Sequence, residues 1–282
     1  MKVNIFTLFL CIILMSCNET KKNTTDTPAK DAPNTEAVDA IPIHFKNKGH
    51  ELVYNLTQKT GNYQTLLKKK DVVYTYTYTT PDGKTDSSTE KYIFNGELSY
   101  GAYSQHQRTL PKLEGLIEQG YDGNEFWLKH NGKIIEDEAA LKRVAFNRPT
   151  NFYWFAMMPK LLDPSVVYDY LGNKTIDTTE YDIVKVSFTS ENNKPTDIYQ
   201  LYINKNTGLV DQFLFTVADF GKMEIPNLMQ LEYEEIDDIL IPTKRQYKKS
   251  NWNADVTDQP WINVNWTNIK FNTGLTKDDF KK

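Results

Sequence analysis

The chain predicts an α+β fold dominated by strands: a curved antiparallel sheet, or half-open barrel, of roughly eleven strands wrapped around one or more helices. Three observations predict it. The 282 residues include 17 Tyr, 14 Phe and 5 Trp, and these fall with β-branched residues in short runs of period two. Turn-forming pairs such as Asn95-Gly96, Asp122-Gly123 and Asn131-Gly132 interrupt the runs at short intervals. Amphipathic helical patterns are scarce, and the most apolar helical segment is apolar nearly all round.

Residues 43–60 carry an imperfect one-face pattern of Phe45, Leu52, Val53 and Leu56, closed by Gly61-Asn62, and predict a helix. His44 and His50 on it do not share a face and are expected at the surface. Val72–Thr79 alternates strictly, with Tyr74, Tyr76 and Tyr78 on one face and Thr75, Thr77 and Thr79 on the other. Strands follow at Lys91–Phe94 and Leu98–Ser104, then at Leu116–Tyr121 and Glu125–His130 around Asp122-Gly123-Asn124. Two helices are expected next, at Glu136–Arg143 and Thr150–Leu162, with Pro149 in the first turn of the second and Pro159 ending or kinking it. The second holds Phe152, Trp154, Phe155, Met157 and Met158; core packing and the lining of a pocket are both open to it, since Met among aromatics makes an adaptable apolar surface.

Strands are then expected at Val166–Leu171, Tyr181–Thr189, Met229–Glu234, Ile241–Lys248 and Trp261–Phe271. Between them lies the most strand-like stretch, Thr196–Val217, two runs flanking Asn204-Lys205-Asn206-Thr207-Gly208. Tyr199, Leu201 and Ile203 oppose Ile198 and Tyr202 in its first strand. Phe213, Phe215 and Val217 oppose Val210 and Leu214 in its second. A hairpin apolar on both faces needs cover on both sides; the 150–162 helix suits one face and the N-terminal helix the other. In the last strand Ile262, Val264 and Trp266 alternate, then Ile269 and Phe271 continue on the opposite parity, which requires a bulge.

The N-terminus reads as an export signal. Lys2 precedes an apolar run from Ile5 to Met15, too short to span a bilayer. It ends in Leu14-Met15-Ser16-Cys17, which resembles the bacterial lipoprotein box and implies lipidation of Cys17. Residues 1–16 are then a signal peptide, residues 17–40 a lipidated N-terminus with a tether poor in buriable side chains, and residues 41–282 one folded domain. The tether would span on the order of 25–30 Å as a flexible chain.

Composition narrows the function. The two cysteines, Cys11 and Cys17, both lie in this leader, so no disulfide framework or Cys metal site is available downstream. A formal net charge of −4 without a concentrated basic face speaks against nucleic acid as a partner. No G-x-S-x-G, H-E-x-x-H or glycine-rich phosphate loop is present. Ser104 with His106, and the acidic turn Glu232, Glu234, Glu235, Asp237 and Asp238, read better as strand and solvated turn than as catalytic or Ca²⁺ sites. The expectation is no enzyme, no cofactor and no metal.

Several turn motifs resemble those of the LolA/LolB-like lipoprotein carriers. Gly120–Trp127 is similar to an Asp-Gly turn leading into an aromatic strand. Tyr202–Val210 is similar to a strand, (D/N)-x-x-T-G-L, strand hairpin, and Ile241-Pro242-Thr243-Lys244 to the P-T-K start of a later strand. The layout of helix, strands, buried helical insertion and more strands agrees. The chain thus resembles an uncharacterised Bacteroidetes lipoprotein family with this fold, residues 41–282 being one LolA-like β-barrel domain. The resemblance implies an envelope location, lipid-anchored at the outer membrane and facing the periplasm. It also implies a cavity between sheet and helices for a lipid, an acyl chain or another apolar small molecule. Tyr74, Tyr76, Tyr78, Trp127, Trp154, Phe155, Met157, Met158, Phe213 and Phe215 are the candidate liners. The alternative is a non-catalytic scaffold or interaction lipoprotein with a filled barrel and an envelope protein as partner.

Overall fold

The computed structural model describes residues 43–190 and 194–282. The signal sequence, Cys17 and the tether lie outside the described residues. Among the described residues no helix is long and apolar enough to cross a membrane.

The chain opens with helix α1, Lys48–Thr60, and a short α2, Tyr63–Lys68. The Asn47 side chain caps α1 by accepting from the His50 N–H, so the helix starts later than residue 43. Six strands follow as a meander: β1 Asp71–Thr79, β2 Thr85–Ile93, β3 Leu98–His106, β4 Ile117–Tyr121, β5 Phe126–His130 and the two-residue β6 Lys133–Ile134. Helix α3, Glu138–Lys160, comes next. A second meander completes the chain: β7 Val166–Ile176, β8 Thr179–Phe188, β9 Tyr199–Asn204, β10 Val210–Val217, β11 Lys222–Ile236, β12 Ile239–Lys249 and β13 Ile262–Phe271.

These thirteen strands form one antiparallel sheet in the order β6-β5-β4-β3-β2-β1-β13-β12-β11-β10-β9-β8-β7. Pairing of β1 with β13 joins the two meanders, while β6 and β7 are the edges of the sheet among the described residues. The barrel is therefore not closed. Laid flat, thirteen strands would span on the order of 60 Å. Yet the single helix α3 packs against side chains from both halves of the sheet. Met157 and Met158 sit with Val184, Val186, Tyr199 and Phe213, and Phe152 and Phe155 with Tyr74, Tyr92, Trp266 and Phe271. The sheet must curl around the helix for both contacts to exist.

Helix α3 replaces the two helices expected from sequence. It runs 23 residues with Pro149 and Pro159 inside it. Each proline leaves one carbonyl a turn earlier without its helical donor. Burial of Val144, Arg148, Phe152, Phe155 and Ala156 on the sheet holds the helix through Pro149. Strand β2 also begins earlier than expected, because Asp86, Ser88 and Glu90 occupy its inward positions where apolar residues would mark a strand.

The hairpin of β9 and β10 is covered on both faces, but not as expected. Tyr199, Leu201, Ile203, Val210, Phe213 and Phe215 face α1 and α3 together. A bulge at Asp211 shifts the register between Val210 and Gln212, which turns Val210 to the side of Phe213 and corrects the simple alternation. On the other face Tyr202 and Leu214 pack with Trp252, Ala254 and Trp261. The β12–β13 connection, not the N-terminal helix, is thus the outer cover. The phase change in the last strand is resolved by a bulge opposite Tyr74, where Val73 pairs with Lys270 and Thr75 with Thr267.

Asp71 ties down the C-terminus. Its buried carboxylate accepts from Thr273 N (2.7 Å), Thr273 Oγ1 (2.7 Å), Gly274 N (3.1 Å) and Leu275 N (3.3 Å). Asp71→Ala leaves those donors without an acceptor and should cost about 2 kcal/mol, read in urea unfolding as a lower midpoint with an unchanged slope.

Candidate functional site

Helix α3 is packed down only along part of its surface. Arg143, Asn147, Asn151 and Trp154 recur at helical spacing and face a groove between the helix and the sheet. The floor is built by strands that cross beneath it. Tyr76 and Tyr78 come from β1, Phe215 from β10, Met229 from β11, Arg245 and Tyr247 from β12, and Ile262, Val264 and Trp266 from β13. The cavity holds about 1080 Å³. At its mouth the β10–β11 connection brings Phe220 against Phe146 of α3, with ring centroids 4.8 Å apart. Ile225, in β11, is largely exposed beside it.

Of the residues singled out from sequence, Tyr76, Tyr78, Trp154 and Phe215 line this groove. Trp154 leans edge-on against Phe215 at 5.2 Å between centroids. Tyr74 and Phe155 are stacked in the solid core beside it, and Met157, Met158 and Phe213 fill the space between α3 and β8–β10. Trp127 lies apart from both. Its indole N–H donates to the Phe280 carbonyl at 2.7 Å and its ring packs on Tyr100.

Two polar devices border the groove. The Tyr78 and Tyr247 hydroxyls are hydrogen-bonded to each other, and the Arg108 guanidinium stacks on the Tyr78 ring, 3.7 Å from its centroid. Arg108 is also 3.6 Å from the Asp86 carboxylate, which accepts from the Arg108 and Thr109 backbone as well. Arg245 is only 4% exposed. Its Nε–H donates to the Pro242 carbonyl at 3.0 Å and its Nη2–H to the Trp154 carbonyl at 2.9 Å. The guanidinium lies 3.8 Å from the Trp266 ring centroid. Burial pulls its pKa down to about 10, so it is still cationic at neutral pH. Burial also raises the phenol of Tyr76 well above its ordinary value, and the Tyr247 phenol likewise, where Tyr78 adds to the effect. Both remain neutral hydroxyls.

Arg245, Tyr247, Met229, Trp266, Phe146 and Phe220 were not among the residues singled out. The alternation within Ile241–Lys248 was the available signal for Arg245 and Tyr247, since Lys244 and Gln246 point to the other face. Phe146 and Phe220 gave none, being brought together by the fold alone.

Elsewhere, the Ser104 hydroxyl donates to the Ser87 carbonyl at 3.3 Å, and His106 Nε2 lies 2.8 Å from the Gly115 carbonyl. The acidic turn joins β11 to β12, with Glu232 paired to Lys244 at 3.1 Å. Among the described residues no group of three or more His, Cys, Asp or Glu side chains is placed to hold a metal ion.

A family of unknown function, DUF6503, matches residues 124–226. No curated protein matches the chain. Among solved structures, the chain is similar to a DUF1329 family protein from Desulfovibrio piger at 15% identity and a TM-score of 0.49, covering 83% of this chain and 95% of that one. It is similar also to a LolA superfamily protein from Nitrosomonas europaea at 12% identity and a TM-score of 0.43, covering 78% and 98%. The open antiparallel sheet curled about one long helix agrees with the curved sheet or half-open barrel expected from the sequence.

Proposed function

We propose that this chain is a non-catalytic envelope lipoprotein, anchored through Cys17 at the outer membrane, whose groove receives an apolar chain of a lipid or similar small molecule. One observation carries the reading. A cavity of about 1080 Å³ persists beside α3 with Tyr76, Tyr78, Trp154, Phe215, Met229 and Trp266 on its walls. Lipid and drug-sized ligands are held in clefts of about this size, lined by apolar and aromatic side chains with a few polar groups. Tyr76, Tyr78, Trp154 and Phe215 would touch the chain. Tyr74, Phe155, Met157, Met158 and Phe213 would form the layer behind them, where the sheet is already full. That solid half favours the second reading, a scaffold working through its surface.

Asn151→Trp separates the two. The added indole projects from α3 into the groove without touching the core. Binding of a fluorescent fatty acid by the native chain should weaken at least about tenfold, or about 1.4 kcal/mol, while the melting temperature stays within a few degrees. The lipid-binding reading is overturned if the native chain neither binds the probe nor carries extractable lipid when isolated without detergent exchange.

A further inference from the structure

We propose that Arg245 receives the acidic end of the groove's ligand, which is an amphiphile with one anionic group, a carboxylate or phosphate ester, on an apolar chain. This rests on the groove being a ligand site. It adds a charge requirement that an apolar cavity does not have by itself.

Arg148 is fully buried and has the Glu90 carboxylate 2.9 Å away. Arg108, at the groove wall, has Asp86 at 3.6 Å. Arg245 is buried almost as deeply as Arg148, yet no carboxylate lies within ion-pair distance of it among the described residues. Its counterparts are two carbonyls, Pro242 and Trp154, and the faces of Trp266 and Trp154. These offset part of the cost of removing a cation from water, and an uncompensated charge remains. Nη1 of Arg245 has no acceptor among the described residues, while the residue itself lines the groove. The Tyr76 hydroxyl, on the same groove, also has no protein partner among the described residues.

Four acidic side chains line the groove, Asp86, Asp197, Asp219 and Glu224, and the last two are exposed. Asp86 is held by Arg108 and Thr109, and Asp197 accepts from the Ala218 N–H at 2.7 Å. None of the four lies within ion-pair distance of Arg245. A ligand anion placed against Nη1 supplies the missing counter-charge, and Tyr76 can donate a second hydrogen bond to it. The apolar remainder of the ligand then runs along Trp154, Phe215, Met229 and Val264. An ion of this kind without a chain gains no apolar burial, so the site selects for both halves of an amphiphile together.

Calorimetric titration of the purified full chain at pH 8 tests this with dodecanoate, 1-dodecanol and acetate. Dodecanoate is expected to bind about tenfold or more tightly than dodecanol, the size of a charge-assisted hydrogen bond in a buried site. Acetate, and inorganic phosphate in a parallel titration, should show no binding. Arg245→Met should bring dodecanoate to the level of dodecanol, and Arg245→Lys should keep a preference. Equal binding of the two amphiphiles by the native chain overturns the role of Arg245 but leaves the groove reading intact. So does a preference that survives Arg245→Met, or acetate binding as tightly as dodecanoate. If neither amphiphile binds, the groove reading fails and this proposal with it. Should Arg245→Met not fold, the native ratio of dodecanoate to dodecanol decides alone.

Discussion

Glu90→Ala is expected to lower the melting temperature by about 10 °C, from a loss of about 3–5 kcal/mol spread over a domain of this size. Glu90 and Arg148 are both fully buried. The carboxylate takes Arg148 Nη1–H at 2.9 Å, the Ser88 hydroxyl at 2.7 Å and the Tyr92 hydroxyl at 2.9 Å. Arg148 Nη2–H also donates to the Tyr103 hydroxyl at 3.1 Å. Burial alone would pull the guanidinium pKa down, but the Glu90 charge opposes this and the net direction is upward. Removing the acid leaves a cation in the core together with two hydroxyl donors that have lost their acceptor. The penalty is that of an orphaned charge, not the worth of the pair itself. Hence Glu90→Leu combined with Arg148→Met should recover most of the loss, since apolar replacements of a buried pair are often close to neutral. A double-mutant cycle followed by circular dichroism melts measures this. A loss in the double variant equal to the sum of the losses from Glu90→Leu and Arg148→Met alone would show that the pair has no such coupling.

Gly120→Ala is expected to cost about 1–3 kcal/mol by overpacking and to release the C-terminal residues. Gly120 in β4 pairs directly with Trp127 in β5, and a Cβ at Gly120 would lie 2.2 Å from the indole Cε2. The ring cannot simply swing aside. It is buried, and its N–H is bound to the Phe280 carbonyl. Phe280 is itself fully buried. Displacing the indole therefore undocks the final turn, Lys277–Phe280. Limited proteolysis should cut the variant near its C-terminus while the native chain stays intact. Amide exchange at residues 277–280 should rise in parallel, and an unchanged exchange rate there would argue against this coupling.

Much of the strand map was legible from local chemistry. The Tyr/Thr alternation of β1, the Asn-Lys-Asn-Thr-Gly turn of β9–β10 and the parity change of β13 each report on a few neighbouring residues, and the observed register follows them. The start of β2 was not legible. Its inward positions are Asp86, Ser88 and Glu90, polar residues whose burial makes sense only beside Arg108 and Arg148, and the latter lies 58 residues away from Glu90. From sequence α3 looks like two helices because proline chemistry is local, whereas the packing that carries the helix through Pro149 comes from distant strands. Half of the groove was visible as aromatic positions. Its helix wall was not, since Arg143 and Asn151 fall in two separate expected helices and Asn147 between them, whereas one helix carries all three.

What the sequence by itself determined is the class of fold, the turns, and the two-faced hairpin at Thr196–Val217, because period and turn chemistry act over a few residues. Tertiary structure decided that the sheet stays open, with β1 meeting β13 in its middle and β6 and β7 as its edges. It also decided which aromatics are core and which face a cavity. The physical reason is the separation of the partners. Trp154 and Arg245 share a hydrogen bond across 91 residues of chain, and whether such a pair meets depends on how the whole sheet curls.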